Sequence, residues 1–293
     1  MAQKKNPLVT IVIPSYNHEN YIKKAVFSAL NSTYKNIQVI VIDDGSKDNS
    51  PKILEELNKE YDFELILKEN TGLVKTLNLA LQKYVKGDYV KLLSSDDVVP
   101  RDAINNGVNF FINHPQHDVI IGAYYKIDSF GNISRLKQPK KGKFISYKNF
   151  VKGKYSFHTT AIFLKTSFFK IYGGYKEDIV AEDLYLHRKI FKFANIAFVD
   201  FALSYYRIHD TNTTKQEWLM YQESLKNLET YKDDPFYNLK KRIEYLNYFV
   251  LLSSSYKKES LTYFFPSLLF FYKKQFIVGI LNLLNLSKFI KNE

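Results

Sequence analysis

The first hundred residues alternate between short apolar runs and segments whose apolar residues recur at helical spacing. Leu8 to Ile13 is a continuous run rich in β-branched residues, typical of a strand that is buried on both faces of a parallel sheet. Residues 18 to 32 carry apolar side chains at helical spacing, and Asn36 to Ile42 is a second buried run. The pattern therefore predicts a strand, a helix and a second parallel strand.

The same alternation continues to the fourth strand. Ser50-Pro51 predicts a helix start, Phe63 to Leu67 a third strand, residues 73 to 84 a third helix, and Tyr89 to Leu93 a fourth strand. We therefore expect an α/β fold with a mostly parallel, Rossmann-like sheet flanked by helices. The turn after the first strand, Pro14-Ser15-Tyr16-Asn17, lacks the G-x-G-x-x-G of dinucleotide-binding proteins, which argues against a dehydrogenase.

Beyond residue 214 the pattern changes. It predicts two helices separated near Asp233-Asp234-Pro235, followed by uncharged runs at 260–272 and 275–287. Pro266 interrupts the first run and Lys273-Lys274 divides the two, so neither reaches the ~20 apolar residues of a spanning helix. We expect residues 215–293 to form a helical appendage that either packs against protein or associates with a membrane interface.

Composition narrows the class of protein. The chain has 293 residues and 45% apolar content, enough for a substantial core. It contains no cysteine, which excludes disulfides and thiolate metal sites and fits a reducing compartment. No apolar segment of signal-peptide length follows Met1, so we expect a cytoplasmic protein, either free or peripheral on the inner face of the plasma membrane.

The formal net charge of +12 is concentrated in one segment. Between Lys126 and Lys176 there are twelve basic residues and one acid, Asp128. Such a segment suits an acceptor or an anionic membrane surface, although a solvated lysine-rich face is an equally good interpretation of any single lysine. No nucleic-acid-binding module is recognisable, so we do not expect a nucleic-acid partner.

Two carboxylates, Asp96 and Asp97, follow the fourth predicted strand directly. Ligands of open α/β sheets bind beyond the carboxyl ends of the strands, where paired carboxylates can hold a divalent cation against phosphate oxygens. The alternative is that both residues only cap a helix starting after Pro100.

The sequence resembles family 2 glycosyltransferases of the GT-A fold, of the kind that build bacterial surface polysaccharides. The resemblance rests on six motifs in order across residues 7 to 214. They are Pro14-Ser15-Tyr16-Asn17, Asp43-Asp44-Gly45-Ser46, Asn70-Thr71-Gly72, Ser95-Asp96-Asp97, Gly173-Gly174-Tyr175 with Ala181-Glu182-Asp183, and Tyr206-Arg207-Ile208-His209. It implies a glycosyltransferase domain at 1–214, in which residues 7–100 bind the nucleotide sugar and 101–214 the acceptor.

The resemblance also implies roles for individual residues. Those expected to bind the nucleotide sugar are Pro14, Ser15, Tyr16, Asp44, Lys75 and Asp96. Asp97 is expected to ligate Mn2+ or Mg2+, with His209 near the metal, and Asp183 is the expected catalytic base beside Glu182. Many family members carry a further aspartate where this chain has Ser94, so ligation here would depend on Asp97, diphosphate oxygens and water.

Independent chemistry agrees with these roles. A diphosphate leaving group needs charge neutralisation, which an oxygen-ligated cation supplies, and an attacking hydroxyl needs a carboxylate to accept its proton. The alternative for Glu182 and Asp183 is that they are acids of a first helical turn, favoured there by the helix dipole. His158 precedes the apolar strand Ala161 to Leu164, and we interpret it as structural.

We therefore expect an inverting, metal-dependent enzyme. It would transfer a sugar from a nucleotide-diphosphate sugar, with a UDP-sugar as the preferred donor, to a hydroxyl of a glycan or lipid-linked precursor in cell-surface polysaccharide synthesis. A noncatalytic subunit that binds nucleotide sugars or a membrane surface is the alternative. Metal-dependent hydrolysis of a nucleotide sugar would distinguish the two.

Overall fold

The structure is a computed structural model that describes residues 6–139, 146–155, 157–178, 182–210, 217–270 and 273–284. The chain divides into two compact units, one formed by Met1–Tyr147 with Lys154–His209 and the other by Lys148–Gly153 with Asp210–Glu293. The boundary expected at residue 214 falls within 211–216, outside the described residues.

The first unit contains an eight-stranded sheet within the described residues. Its strands are β1 (Val9–Ser15), β2 (Ile37–Asp43), β3 (Glu64–Leu67), β4 (Tyr89–Leu92), β5 (Val119–Ile127), β6 (Ile133–Lys137), β7 (Ile162–Lys165) and β8 (Ile196–Arg207). The order is β3-β2-β1-β4-β7-β5-β6, with β8 paired to β5. The first four strands are parallel, as the sequence predicted.

The second half of the sheet departs from the simple alternation. β7 is antiparallel to both β4 and β5, whereas β8 runs parallel to β5. Neither β5 nor β6 was predicted from the sequence. The result is a mixed, mostly parallel sheet, which confirms the expected fold class.

Helices cover the sheet. Those of the first unit are α1 (Ile22–Leu30), α2 (Ser50–Glu60), α3 (Leu73–Leu79, continued by a π-helical turn Ala80–Tyr84), α4 (Ala103–Asn113), α6 (Thr166–Tyr172) and α7 (Glu182–Phe193). The short α5 (Tyr147–Val151) has its first residue in the first unit and the others in the second. Pro51 occupies the first turn of α2, where its missing N–H costs nothing. The buried face of α1 consists of Ile22, Ala25, Val26 and Ala29, and Ile22, Val26 and Ala29 join strand residues such as Ile11 and Val41 in the main core.

The second unit contains α8 (Glu217–Glu229), α9 (Tyr237–Leu252), α10 (Lys257–Ser267, followed by a 3₁₀ turn Leu268–Phe270) and α11 (Lys274–Leu283). Its core contains Leu246, Phe249 and Phe276. This confirms the helical appendage, including a break between α8 and α9 at the predicted place. Among the described residues no helix has the length and apolarity needed to cross a membrane.

Candidate functional site

The carboxyl ends of three parallel strands meet at one edge of the sheet. β1 pairs with both β2 and β4. Ser15 ends β1, Asp44 directly follows β2, and Asp96 lies in the loop after β4. The backbone N–H of Asp44 donates to the carbonyl of Ser15 at 2.8 Å, which fixes the two turns against each other. This edge is where open α/β sheets bind ligands.

Asp44 is buried, and three donors hold its carboxylate. The ammonium of Lys68 and the backbone N–H of Thr71 donate to Oδ1, and the N–H of Gly72 donates to Oδ2 at 2.8 Å. Burial alone would raise the pKa of Asp44, but these hydrogen bonds and the charge of Lys68 hold it below its usual value. Asp44 is therefore a fixed anion at the end of β2.

A cavity of about 620 Å³ opens beside this carboxylate. Its lining residues are Gly45, Lys47, Leu67, Lys68, Glu69 and Asn70. Lys68 thus belongs both to the cavity wall and to the ion pair with Asp44. The volume lies within the range of small-molecule sites.

A second cluster, the His–Asp–His cluster, consists of His18, Asp96 and His209. One nitrogen or oxygen of each lies within 4.8 Å of the others. The imidazole Nε2 of His209 is 2.9 Å from Oδ2 of Asp96, and Nδ1 of His18 is 2.7 Å from the hydroxyl of Ser95. The cluster joins the loop before α1, the end of β4 and the end of β8.

Aromatic and basic side chains hold the cluster in place. The ring of Tyr21 packs 4.9 Å from that of His209, and the guanidinium of Arg207 lies 5.1 Å from the Tyr21 ring. Nε of Arg207 also donates to the carbonyl of Asp96 at 2.7 Å. Burial lowers the pKa of His18, against the attraction of the Asp96 carboxylate, so its imidazole favours the neutral form that binds metals.

The donor set of the His–Asp–His cluster fits a divalent cation. Two imidazole nitrogens and one carboxylate oxygen suit Mn2+ better than Mg2+, because Mg2+ prefers oxygen ligands and strict octahedral geometry. Sequence reasoning missed His18, because only the folded structure brings this loop residue to the end of β8.

Asp97 follows Asp96 directly in the sequence but is not a member of this cluster. It is buried, and its Oδ1 accepts from the backbone N–H of Arg207 at 2.8 Å. Its Oδ2 has no hydrogen-bond partner among the residues that the structure describes. Burial and the charge of Asp96 raise the pKa of Asp97 well above its usual value. Metal ligation by Asp97 stays a prediction of the sequence.

The first turn of α7 carries the acidic pair Glu182 and Asp183. Burial and the neighbouring charge of Asp183 raise the pKa of Glu182 to about 8, so Glu182 is largely protonated at neutral pH. A protonated carboxyl group cannot accept a proton, which leaves Asp183 as the better candidate base of the two.

Two neutral histidines accompany this acidic pair. Nε2 of His187 is 2.9 Å from the hydroxyl of Thr159, and the ring of His158 packs against that of Tyr206 with centroids 3.8 Å apart and planes tilted by 34°. Burial lowers the pKa of both histidines to about 4, although the charge of Asp183 acts in the opposite direction. The ring contact and the bond of His158 to Thr160 support the structural interpretation of His158.

Lys91 connects the two halves of the site. Its side chain is fully buried, and its ammonium donates to the carbonyls of Thr160 and Ile162. Burial lowers the pKa of Lys91 to about 7, against the attraction of Asp97. β4, which leads to Asp96, is thereby tied to the turn beside α7.

Asn78 in α3 clamps the Gly173-Gly174-Tyr175 turn that precedes α7. Its Oδ1 accepts from the N–H of Tyr175 at 2.8 Å, and its amide donates to the Tyr175 carbonyl at 2.9 Å. A Cβ on Gly174 would lie 2.3 Å from Oδ1 of Asn78, so the close approach requires glycine. Lys189 of α7 donates to the carbonyls of Gly173 and Gly174.

Comparison with known proteins identifies the family. The model of glycosyl transferase family 2 matches residues 10–172. The chain belongs to this family. It is 34% identical over 216 residues to an uncharacterized glycosyltransferase of Rickettsia conorii, covering 71% of this chain and 35% of the relative. This family 2 chain thus spans about a third of the length of that relative.

Solved structures share its GT-A-like fold. S. aureus TarS 1-349 in complex with UDP-GlcNAc gives a TM-score of 0.61 at 18% identity, covering 95% of this chain and 81% of that one. The mannosyltransferase PcManGT from Pyrobaculum calidifontis, in complex with GDP-Man and Mn2+, gives 0.60 at 16% identity, covering 95% and 88%. At these identities the likeness concerns the fold.

Three of the remaining predicted donor-binding residues of the family 2 chain lie at the end of β1, and the fourth lies on α3. Pro14 is half-buried, and Ser15 is buried with an Oγ that has no partner within the described ranges. Tyr16 is 46% exposed. Lys75 is exposed on α3. No described contact links Tyr16 or Lys75 to Asp44, and their donor-binding role stays a prediction.

The basic segment from Lys126 to Lys176 is only partly described. Lys140, Lys141 and Lys143 lie outside the described residues. Nζ of Lys165 donates to the carbonyl of Pro115, and Lys176 pairs with Asp178. Contact of this segment with an acceptor or an anionic membrane stays a prediction.

Proposed function

We propose that the chain is an inverting glycosyltransferase. It moves a sugar from a nucleotide-diphosphate sugar, with a UDP-sugar as the preferred donor, to a hydroxyl of a glycan or lipid-linked precursor of a cell-surface polysaccharide. The observation that carries the proposal is that the buried Asp44 anion, with its cavity, and Asp96 of the His–Asp–His cluster follow two strands that both pair with β1, in a family 2 chain. The donors of TarS and PcManGT, UDP-GlcNAc and GDP-Man, agree with this substrate class.

The base of the donor is assigned to the cavity at the ends of β2 and β3. Asp44 can accept a hydrogen bond from a ring N–H such as that of uracil through Oδ2, which the Gly72 N–H alone occupies among the described residues. Lys68 and the N–H of Thr71 keep the carboxylate ionised and oriented. Pro14 and Ser15 end β1, and Tyr16 follows them. β1 is the neighbour of β2 on the side away from β3.

The metal is assigned to Asp96 and His209, with His18 as a third ligand. This assignment transfers the ligand role from Asp97 to Asp96, because Asp96 lies in the His–Asp–His cluster whereas Asp97 holds the Arg207 backbone. A bound cation would neutralise the negative charge that develops on the leaving diphosphate. The Mn2+ bound to PcManGT agrees with the choice of Mn2+.

Asp183 is the proposed base. The acceptor oxygen attacks the anomeric carbon, the bond from that carbon to the diphosphate oxygen breaks, and the acceptor proton passes to the Asp183 carboxylate. Glu182, protonated at neutral pH, can donate a hydrogen bond to an acceptor oxygen. Asp183 lies in the first turn of α7, where the helix dipole favours an acidic residue.

A thermal-shift screen tests the donor class. UDP-GlcNAc, UDP-glucose, UDP-galactose and GDP-mannose are compared with and without Mn2+, because a ligand that binds only the folded state raises the melting temperature with its occupancy. The proposal predicts that UDP-sugars shift the melting temperature most and that the shift requires Mn2+. Absence of a shift with every nucleotide sugar in Mn2+ would contradict it.

A further inference from the structure

The outer face of α10 is an exposed apolar stripe. Leu261 is 53% exposed, Phe265 75% and Leu269 63%, and Leu268 beside them is also exposed. Their spacing places all four on one side of a helix and its following turn. We call these four residues the α10 stripe.

The opposite side of the same helix is packed. Tyr263 and Phe264 contact the core of Leu246, Phe249 and Phe276, and the ring centroids of Phe249 and Phe264 are 5.7 Å apart. α10 is therefore apolar on two sides, and only one of them is covered within the described part of its unit. A large exposed apolar face of this kind marks an interaction surface.

α11 repeats the arrangement. Phe276 and Gly279 face inward onto Phe249, whereas Ile277 is 52% and Leu284 59% exposed. Each stripe also begins at a lysine: Lys258 precedes Leu261 by three positions, and Lys274 precedes Ile277 by three. Both lysines are exposed.

The charge of this region selects the partner. From Ser253 to Asn285 the sequence holds four lysines and one acid, Glu259. A second copy of the chain would bring the same positive charges face to face, which opposes self-association through this surface. An anionic lipid surface complements both the lysines and the apolar stripe.

We propose that α10 and α11 dock this protein onto an anionic bilayer, with Leu261, Phe265, Leu269 and Ile277 at the boundary of the acyl chains and Lys258 and Lys274 at the phosphates. The helices lie in the interface and do not span it, in agreement with the absence of a helix long and apolar enough to span among the described residues. This proposal stands independently of the proposed catalytic function.

Flotation of the full chain with vesicles tests the proposal. Phosphatidylcholine vesicles are compared with vesicles containing about 30 mol% phosphatidylglycerol, at about 0.1 M and about 0.5 M salt. The stripe variant is Phe265→Ser with Leu269→Ser, and the charge variant is Lys258→Glu with Lys274→Glu. Phe130→Ser is the matched control, because Phe130 is 82% exposed in the other unit.

Wild type is expected to float with anionic vesicles only, and high salt is expected to weaken its binding. The stripe variant should bind vesicles at least about tenfold more weakly, because losing the burial of one large apolar side chain in the acyl chains lowers the affinity by about tenfold or more. The charge variant should lose the preference for anionic lipid, and Phe130→Ser should bind as wild type. Circular dichroism and thermal unfolding confirm that each variant is folded.

Three results would overturn the proposal. They are failure of wild type to float, equal binding of the stripe variant and wild type, and a wild-type dimer in light scattering that the stripe substitutions dissociate. The last result would assign the surface to a second copy of the chain.

Discussion

Nε2 of His209 lies 2.9 Å from Oδ2 of Asp96, although the two residues are 113 positions apart in the sequence. The contact joins the end of β8 to the end of β4 and completes a donor set with His18. It also distinguishes the two neighbouring aspartates, because Asp97 uses its Oδ1 to hold the Arg207 backbone.

Asp96→Asn and His209→Ala should each weaken binding of Mn2+ in the presence of UDP by at least about tenfold, since each removes one ligand of the proposed site. Titration of free Mn2+ by electron paramagnetic resonance measures this affinity directly. Asp97→Asn is the matched control and should bind Mn2+ close to the wild-type level. If Asp97→Asn loses Mn2+ while Asp96→Asn keeps it, the ligand is Asp97, as the sequence predicted.

Removal of the Asn78 clamp should weaken both stability and transfer. Asn78→Ala leaves the N–H and carbonyl of Tyr175 without their partners, which should lower the free energy of unfolding by about 2 kcal/mol or more. Sugar transfer should fall, because the clamped turn leads into α7, which carries Asp183. UDP affinity should be kept, because this turn does not line the cavity beside Asp44.

Urea unfolding and calorimetric UDP titration measure these two effects. Asn58→Ala is the control, because the exposed Asn58 makes a single described bond, to the carbonyl of Phe63. A loss of stability no larger than that of Asn58→Ala would contradict the clamp.

The raised pKa of Glu182 should make stability depend on pH. The folded chain keeps a proton on Glu182 up to about pH 8, whereas the unfolded chain releases it near its ordinary value of 4.5. The contribution of Glu182 to the free energy of unfolding is therefore present at low pH and is lost as the pH rises from about 4.5 to about 8.

Glu182→Gln removes this dependence. Between pH 5 and pH 9, the free energy of unfolding of the variant should rise by about 1 kcal/mol or more relative to that of wild type. Each unit of pKa shift corresponds to about 1.4 kcal/mol before solvent screening is considered. Urea unfolding at the two pH values measures it. Glu55→Gln, on the exposed face of α2, should show no such change. An equal difference between Glu182→Gln and wild type at both pH values would contradict the shift.

The sequence predicted the parallel half of the sheet because each strand there is a buried apolar run bounded by turn residues. β2, predicted at Asn36 to Ile42, lies at Ile37–Asp43, and α2 begins at Ser50 as expected. β5 escaped prediction because its place in the sheet is set by pairing with β7 and β8, which are distant in the sequence. β6 escaped because it is a mostly exposed strand that pairs with β5 and carries no buried apolar run.

Only the site residues that belong to recognisable motifs could be predicted from the sequence. Asp44, Asp96 and His209 follow strands, and the sequence marked all three. His18, Lys68 and Lys91 carry no local signal: His18 lies in a loop, Lys68 follows a short strand, and Lys91 interrupts an apolar run that the binary pattern assigns to the core. Their roles depend on which strand ends become neighbours, which is a property of the folded sheet.

The most direct test of the account is the release of UDP from a UDP-sugar in Mn2+ by wild type and Asp183→Asn. Asp183→Asn keeps the size of the side chain but cannot accept a proton at neutral pH. We expect wild type to turn over the donor and the variant to be slower by about 10² to 10⁴, with UDP affinity unchanged in calorimetry. Equal turnover by the two proteins, or no turnover of any UDP-sugar by wild type, would contradict it.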